Sequence, residues 1–133
     1  MSDPRNLKVL EAAVLFAAAV HRQFDQLDPT RMPGMRSQIL RAADSVPANI
    51  AEGARGTLGQ RQNFYRIARG SADEVGAHLR VARRSDVMST TSYWHCENKR
   101  IVVCKMLTNL IRSLDEEEAY AMHRTRTRLR DKS

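Results

Sequence analysis

Pro47 constrains the fold more than any other residue. It sits inside a segment whose apolar residues, Met32, Met35, Ile39, Ala42, Val46 and Ile50, recur at helical spacing. A proline there has no N–H to donate, and its ring crowds the preceding turn. The cost is about 3 kcal/mol relative to alanine. Either the helix ends near Val46 and restarts with Ser45 as its cap, or it continues with a kink. The unbroken apolar stripe on both sides of Pro47 favours a kinked continuation over residues 33–55. Ser45 and Asn49 then stand where they can serve backbone groups that the kink frees.

Three more helices flank this one. The first is expected over 7–27, with Asp3 or Asn6 as its cap and Asp28-Pro29 closing it. Leu10, Val14, Ala17, His21 and Phe24 form one stripe, and Ala13, Phe16 and Val20 a second beside it. A helix apolar over so wide an arc must be covered on more than one side. The first stripe is expected to enter the protein's own bundle and the second to meet another subunit, with His21 a hydrogen-bonded interior or interface residue. The third helix, over 60–85, directs Phe64, Ile67, Ala68, Ser71, Val75, His78, Leu79 and Ala82 inward at about 100° per residue. The fourth, over 89–118, directs Ile101, Cys104, Leu107, Ile111 and Leu114 inward, with Tyr93 and Trp94 packing on the bundle end or, the alternative, an exposed indole stacking on a base. These expectations amount to an all-α, antiparallel up-down-up-down four-helix bundle over residues 1–118.

After Ala119 the apolar pattern is lost. Arg124, Arg126, Arg128, Arg130 and Lys132 crowd into ten residues, so 119–133 reads as a basic, disordered tail. The acidic run Asp115–Glu118 could fold back and mask it. The full chain carries a formal charge of +7, and such a balance points to nucleic acid or another anionic surface. Cys96 and Cys104 are eight residues apart on one helix, about 12 Å, beyond the reach of a disulfide. Unpaired thiols, no recognisable leader and no apolar run long enough for a membrane predict a cytoplasmic protein.

Three blocks carry a family resemblance. Ser45-Val46-Pro47-Ala48-Asn49-Ile50-Ala51-Glu52-Gly53 is the first. Phe64-Tyr65-Arg66-Ile67-Ala68-Arg69-Gly70-Ser71 with Glu74 is the second, and Leu107-Thr108-Asn109-Leu110-Ile111-Arg112-Ser113-Leu114 the third. In this order they resemble the four-helix-bundle proteins encoded in intervening sequences of bacterial 23S ribosomal RNA genes, the S23 type. That family is related to the accessory proteins of diversity-generating retroelements. The first helix lacks the tryptophan common there. The resemblance implies structural roles for Ser45, Pro47, Asn49, Glu52 and Gly53 in the second helix, and a ring-shaped homopentamer. It also suggests a reverse transcriptase as a partner.

Enzyme chemistry finds no support in the residues. Gly53, Gly56 and Gly59 follow a helix and lack a Gly-Lys-Ser/Thr ending, so they mark a turn and no phosphate loop. A di-iron bundle needs Glu-x-x-His twice, whereas Glu11, Glu52, Glu74 and Glu97 are followed at three residues by Val14, Arg55, Ala77 and Arg100. Glu74 and His78 read as a structural pair one turn apart. Small helical RNases of the HEPN type place a histidine four to six residues after an arginine, and neither His78, His95 nor His123 has that neighbour. No catalytic residue, metal or cofactor is expected.

Binding is the remaining class. Arg66, Arg69, Arg80, Arg83 and Arg84 fall within an arc of about 100° on the third helix, away from the inward stripe, with Arg55 and Arg61 at the preceding turn. A guanidinium makes bidentate, permanently charged contacts to phosphate. These arginines and the tail predict a sequence-tolerant nucleic-acid binder, RNA being the expected polymer. The competing reading is a protein-interaction scaffold whose basic face is merely solvated.

Overall fold

The computed structural model describes residues 3–132 and contains four α-helices with no strand among them: α1 (Pro4–Asp25), α2 (Pro33–Ala54), α3 (Leu58–Arg84) and α4 (Thr90–Asp131). Each helix packs on its neighbours in sequence, and α1 closes the arrangement against α4. One core fills the middle, built from Val9, Phe16, Val20, Phe24, Ile39, Val46, Ile50, Tyr65, Leu79, Leu107 and Leu114 with small residues between them.

The helix starts follow from local chemistry. Asp3 caps α1 by accepting from the Arg5 N–H at 2.9 Å, and Pro4 occupies the first turn, where its missing donor costs nothing. Thr57 and Gln60 form a reciprocal capping box at the start of α3. Ser89 accepts from the Ser92 N–H at the start of α4. The link before α2 and the link after α3 turn through left-handed residues that are not glycine, Met32 (φ 50°) and Asp86 (φ 59°).

Helix α2 runs through Pro47 without interruption. Proline deprives the Ala43 carbonyl of its partner, but Asn49 does not serve that group. Its amide instead donates to the carbonyl and hydroxyl of Ser45, at 2.8 and 2.9 Å. Ser45 Oγ in turn meets Ser71 Oγ at 2.9 Å. Asn49 and Ser45 thus form a polar clasp from α2 to α3.

One turn further on, Gly53 lets the two helices touch. A Cβ there would lie 2.9 Å from Phe64 Cβ and 2.9 Å from Tyr65 Cε1, and the first of these is too close to the backbone to yield. Gly70, by contrast, faces open space. Gly53→Ala should therefore destabilise the fold by about 1–3 kcal/mol, outweighing its gain in helix propensity, whereas Gly70→Ala should stabilise by about 0.5–1 kcal/mol. Urea denaturation of both variants checks the pair; the same sign at both positions would refute the close-approach argument.

Four expectations need correction. In α1 the second stripe does not face outward: Ala13, Phe16 and Val20 are fully buried in the protein's own core beside Ala17 and Phe24 of the first stripe, while Val14 of the first stripe is 45% exposed. The outer apolar residues of α1 are Leu7, Val14 and Leu15. In α3 the buried stripe is Tyr65, Ala68, Ala72, Val75, Leu79 and Ala82, turned by about 60° from the one anticipated. Phe64, Ser71 and His78 are only half-buried, and Ile67 is exposed. At the start of α4, Tyr93 packs against the core as expected, but Trp94 remains 47% exposed.

The fourth correction concerns the tail. Helix α4 does not stop near Glu118 but continues to Asp131, so 119–131 is helical and exposed. Extending an existing helix needs no new nucleus, and the basic end is favoured at a helix C-terminus. Arg124 lies over the Tyr120 ring at 5.8 Å, and Thr125 Oγ1 donates to the Ala121 carbonyl. In a continuous helix the acidic run 115–118 is collinear with the arginines and cannot fold back upon them. Met1 and Ser2 of the expected domain, and Ser133 of the expected tail, lie outside the described residues.

Candidate nucleic-acid interface

Because the core stripe of α3 is turned, its arginines do not stand opposite the core. They line the edge of α3 that faces α4. Two groups result, and their nearest members, Arg69 and Arg80, are 11 residues or roughly 16 Å apart along the helix.

The group at the start of α3 is largely engaged. Arg66 donates to both oxygens of Asp115, at 2.6 and 2.8 Å, and Gln62 donates to Asp115 Oδ1 at 2.9 Å. These bonds, the one from Arg66 foremost, hold the Asp115 carboxyl below the usual carboxylate range. The carboxylate therefore stays charged and keeps Arg66 occupied at neutral pH. Arg69 feels the same charge. Arg61 lies near Tyr65 and Asp3, and its Nε is buried without a hydrogen-bond partner. Arg55 is exposed and reaches Glu52 at 3.4 Å. Arg55 and Arg61 do not extend a single patch, since they sit at the opposite end of α3 from Arg80.

The group at the end of α3 is freer. Arg83 approaches Asp86 at only 3.9 Å. Arg80 and Arg84 are exposed and make no ion pair among the described residues. Arg80 lines an open, mainly polar groove of about 410 Å³ between α3 and α4, with Asp73, Gly76, Ala77, Tyr93, Trp94, Glu97, Arg100 and Ile101.

The groove has a rigid charged floor. Arg100 Nε donates to both oxygens of Glu97 at 2.9 Å, and Nη2 makes a further short bond to Glu97 Oε1. Glu97 keeps only 7% of its side chain exposed and Arg100 19%. Asp73 lies 3.5 Å from Arg100, and Cys104 Sγ accepts from it at 3.6 Å. Gly76 makes this possible, for a Cβ there would stand 2.7 Å from Arg100 Nε. The hydrogen bonds that Arg100 donates to Glu97 raise its pKa, so the guanidinium keeps its charge.

The two thiols are free, and burial suppresses their acidity. Cys96 is pushed up to about 11. Cys104 is also raised by burial, which outweighs the nearby Arg100 cation. His21 bonds to Asp44 at 2.8 Å, linking α1 and α2; it is hydrogen-bonded as anticipated, but with 40% of its side chain exposed it is not an interior residue. His78 and Glu74 approach only to 3.9 Å, too far for the expected hydrogen bond. Arg124, Arg126, Arg128 and Arg130 all lie on the exposed end of α4, beyond the Arg66 end of the bundle and away from Arg80. Sequence reasoning missed the Arg100–Glu97 pair, whose signal was an i,i+3 spacing opposite a glycine. No helix is long and apolar enough to cross a membrane among the described residues.

Four helices around one alanine-rich core, with the Pro47 block at the contact between α2 and α3, define the class of protein. Residues 5–109 match the 23S rRNA-intervening sequence protein family, and the chain belongs to that family. Its fold is similar to the crystal structure of a protein of unknown function from the S23 ribosomal protein family of Bacteroides thetaiotaomicron. The TM-score is 0.74 at 22% identity, over 81% of this chain and 98% of that one. No curated protein matches the sequence.

Proposed function

We propose that the protein is a non-enzymatic, homo-oligomeric binder of nucleic acid, RNA above all, acting in the cytoplasm. The observation that carries this reading is the state of the cations. Arg80 and Arg84 face solvent without ion pairs among the described residues, and four further arginines stand on the helical end of α4. Permanently charged guanidinium groups open to solvent displace counterions from phosphates with little regard for sequence. Handing RNA to a reverse transcriptase, or holding the transcript of an intervening sequence, is the context this reading suggests.

We also infer that the four helices alternate in direction, with a bend at Pro47. In support, Arg5 bonds to Ser113 while Cys96 approaches Ala19, and Ser45 meets Ser71 while Gly53 abuts Phe64. A ring of five copies is part of the proposal. The exposed Leu7, Val14 and Leu15 of α1 offer one apolar surface to a neighbouring copy. A ring would repeat each weak cationic site and raise avidity.

Salt titration tests the central claim. Binding to labelled RNA should weaken steeply between about 50 and 200 mM salt. Arg80→Ala with Arg84→Ala should lower both the affinity and the salt slope, the latter by about one unit per arginine. The alternative is a scaffold for another protein, favoured by Ile67 and Val81, which are 44% and 47% exposed on the outer side of α3. RNA binding that is undetectable even at low salt would leave that alternative standing.

A further inference from the structure

We propose that the groove between α3 and α4 is a subsite for one unpaired nucleobase, stacked on Trp94, with its phosphate held by Arg80. This deepens the nucleic-acid reading and rests on it. The groove's volume of about 410 Å³ lies within the range of small-ligand sites, about 300–1,000 Å³.

Trp94 is 47% exposed although it is the chain's single tryptophan, and its large ring would gain from cover. It is held in place, because Tyr93 packs on the core and meets the indole edge-to-face at 5.1 Å, with the rings at 85°. An indole fixed in this way is a ready stacking surface. Arg80 borders the same groove without an ion pair among the described residues, so one wall carries the indole and the other a guanidinium able to bind phosphate. That pairing of π-face and guanidinium is how single strands are bound without sequence readout.

The remaining lining restricts the ligand further. Glu97 and Asp73 set two carboxylates against the single Arg100 cation, so the floor is net negative and offers a bare anion no free charge of its own. A bare anion would find only Arg80, whereas a nucleotide would use both the ring and the cation. A base within a duplex cannot reach the indole, because its faces are already stacked. The geometry therefore selects single-stranded segments, loops or ends.

With one tryptophan in the chain, indole emission reports on this groove alone. The experiment titrates the intact protein with a short fluorescein-labelled oligoadenylate and with a blunt RNA duplex of equal length, reading anisotropy and tryptophan emission together. Saturation with the single strand should quench Trp94, while the duplex should bind without comparable quenching. Trp94→Leu, an exposed replacement, should weaken single-strand binding about tenfold, or about 1.4 kcal/mol, and leave duplex binding unchanged. Arg80→Ala should reduce both affinity and quenching. Anisotropy showing single-strand binding with unchanged emission would overturn the stacking subsite while leaving nucleic-acid binding in place, as would equal quenching by both RNAs. Absence of any anisotropy change would overturn both.

Discussion

Glu97→Ala should cost the protein about 3 kcal/mol of folding free energy, the lower end of the loss expected when one partner of a buried ion pair is removed. The Arg100 guanidinium is sandwiched between the backbone of Gly76 and the α4 surface, and Glu97 is its main partner. Without that carboxylate the cation keeps only Asp73, which is 67% exposed, and a weak contact to Cys104. Asp73 offers partial compensation, which is why the lower end is expected. Replacing both partners by apolar residues, Glu97→Leu with Arg100→Met, should recover most of the loss, because neither charge then needs solvating. Urea unfolding of the single and double variants gives the comparison. A single variant as stable as the parent would mean that water already solvates the pair.

Tyr65→Ala should be comparably severe, at about 3–5 kcal/mol. Tyr65 heads the fully buried side chains, and its ring lies against Gly53 in the contact between α2 and α3. Its hydroxyl donates to Asn6 Oδ1 at 2.9 Å, joining α3 to α1. Burial raises the Tyr65 pKa, so the phenol remains a neutral donor. Tyr65→Phe keeps the ring and removes only the donor, leaving the oxygen of Asn6, a residue 3% exposed, without that partner. That variant should lose about 1–3 kcal/mol. If Asn6→Ala and Tyr65→Phe added independently in the double variant, the two groups would not be coupled as described.

Much of the fold was legible because its signals are local. Asp3 as a cap, the four helices, and the passage of α2 through Pro47 all follow from spacing and cap chemistry. The faces were harder to read where small residues do the packing. On α3 the core contacts that escaped notice are Tyr65, which carries a polar tip, and Ala72 and Gly76, whose apolar signal is weak, while Ile67 and Val81 advertise a face that is exposed. On α1 both stripes are apolar and both enter the core, so composition could not say that Val14 alone among them stays largely exposed. The continuation of α4 was hidden by its Thr-Arg repeat, which reads as a solvated coil only when the helix feeding into it is ignored. The arginines were identified from sequence, but not their division. Asp115 and Asp3 are distant in the chain, and only folding brings them beside Arg66 and Arg61.

The end of α4 has a consequence for how a partner would meet this protein. Seventeen residues separate Leu114, the last buried position, from Asp131, a reach of about 25 Å. Cations spaced along a stiff rod arrive with their separations already set, so a polyanion docking there would not have to order a loose chain first. Arg124 and Arg128 share one side of this helix and Arg126 and Arg130 the opposite one, so under the proposed reading each side would offer a ligand two cations one turn apart.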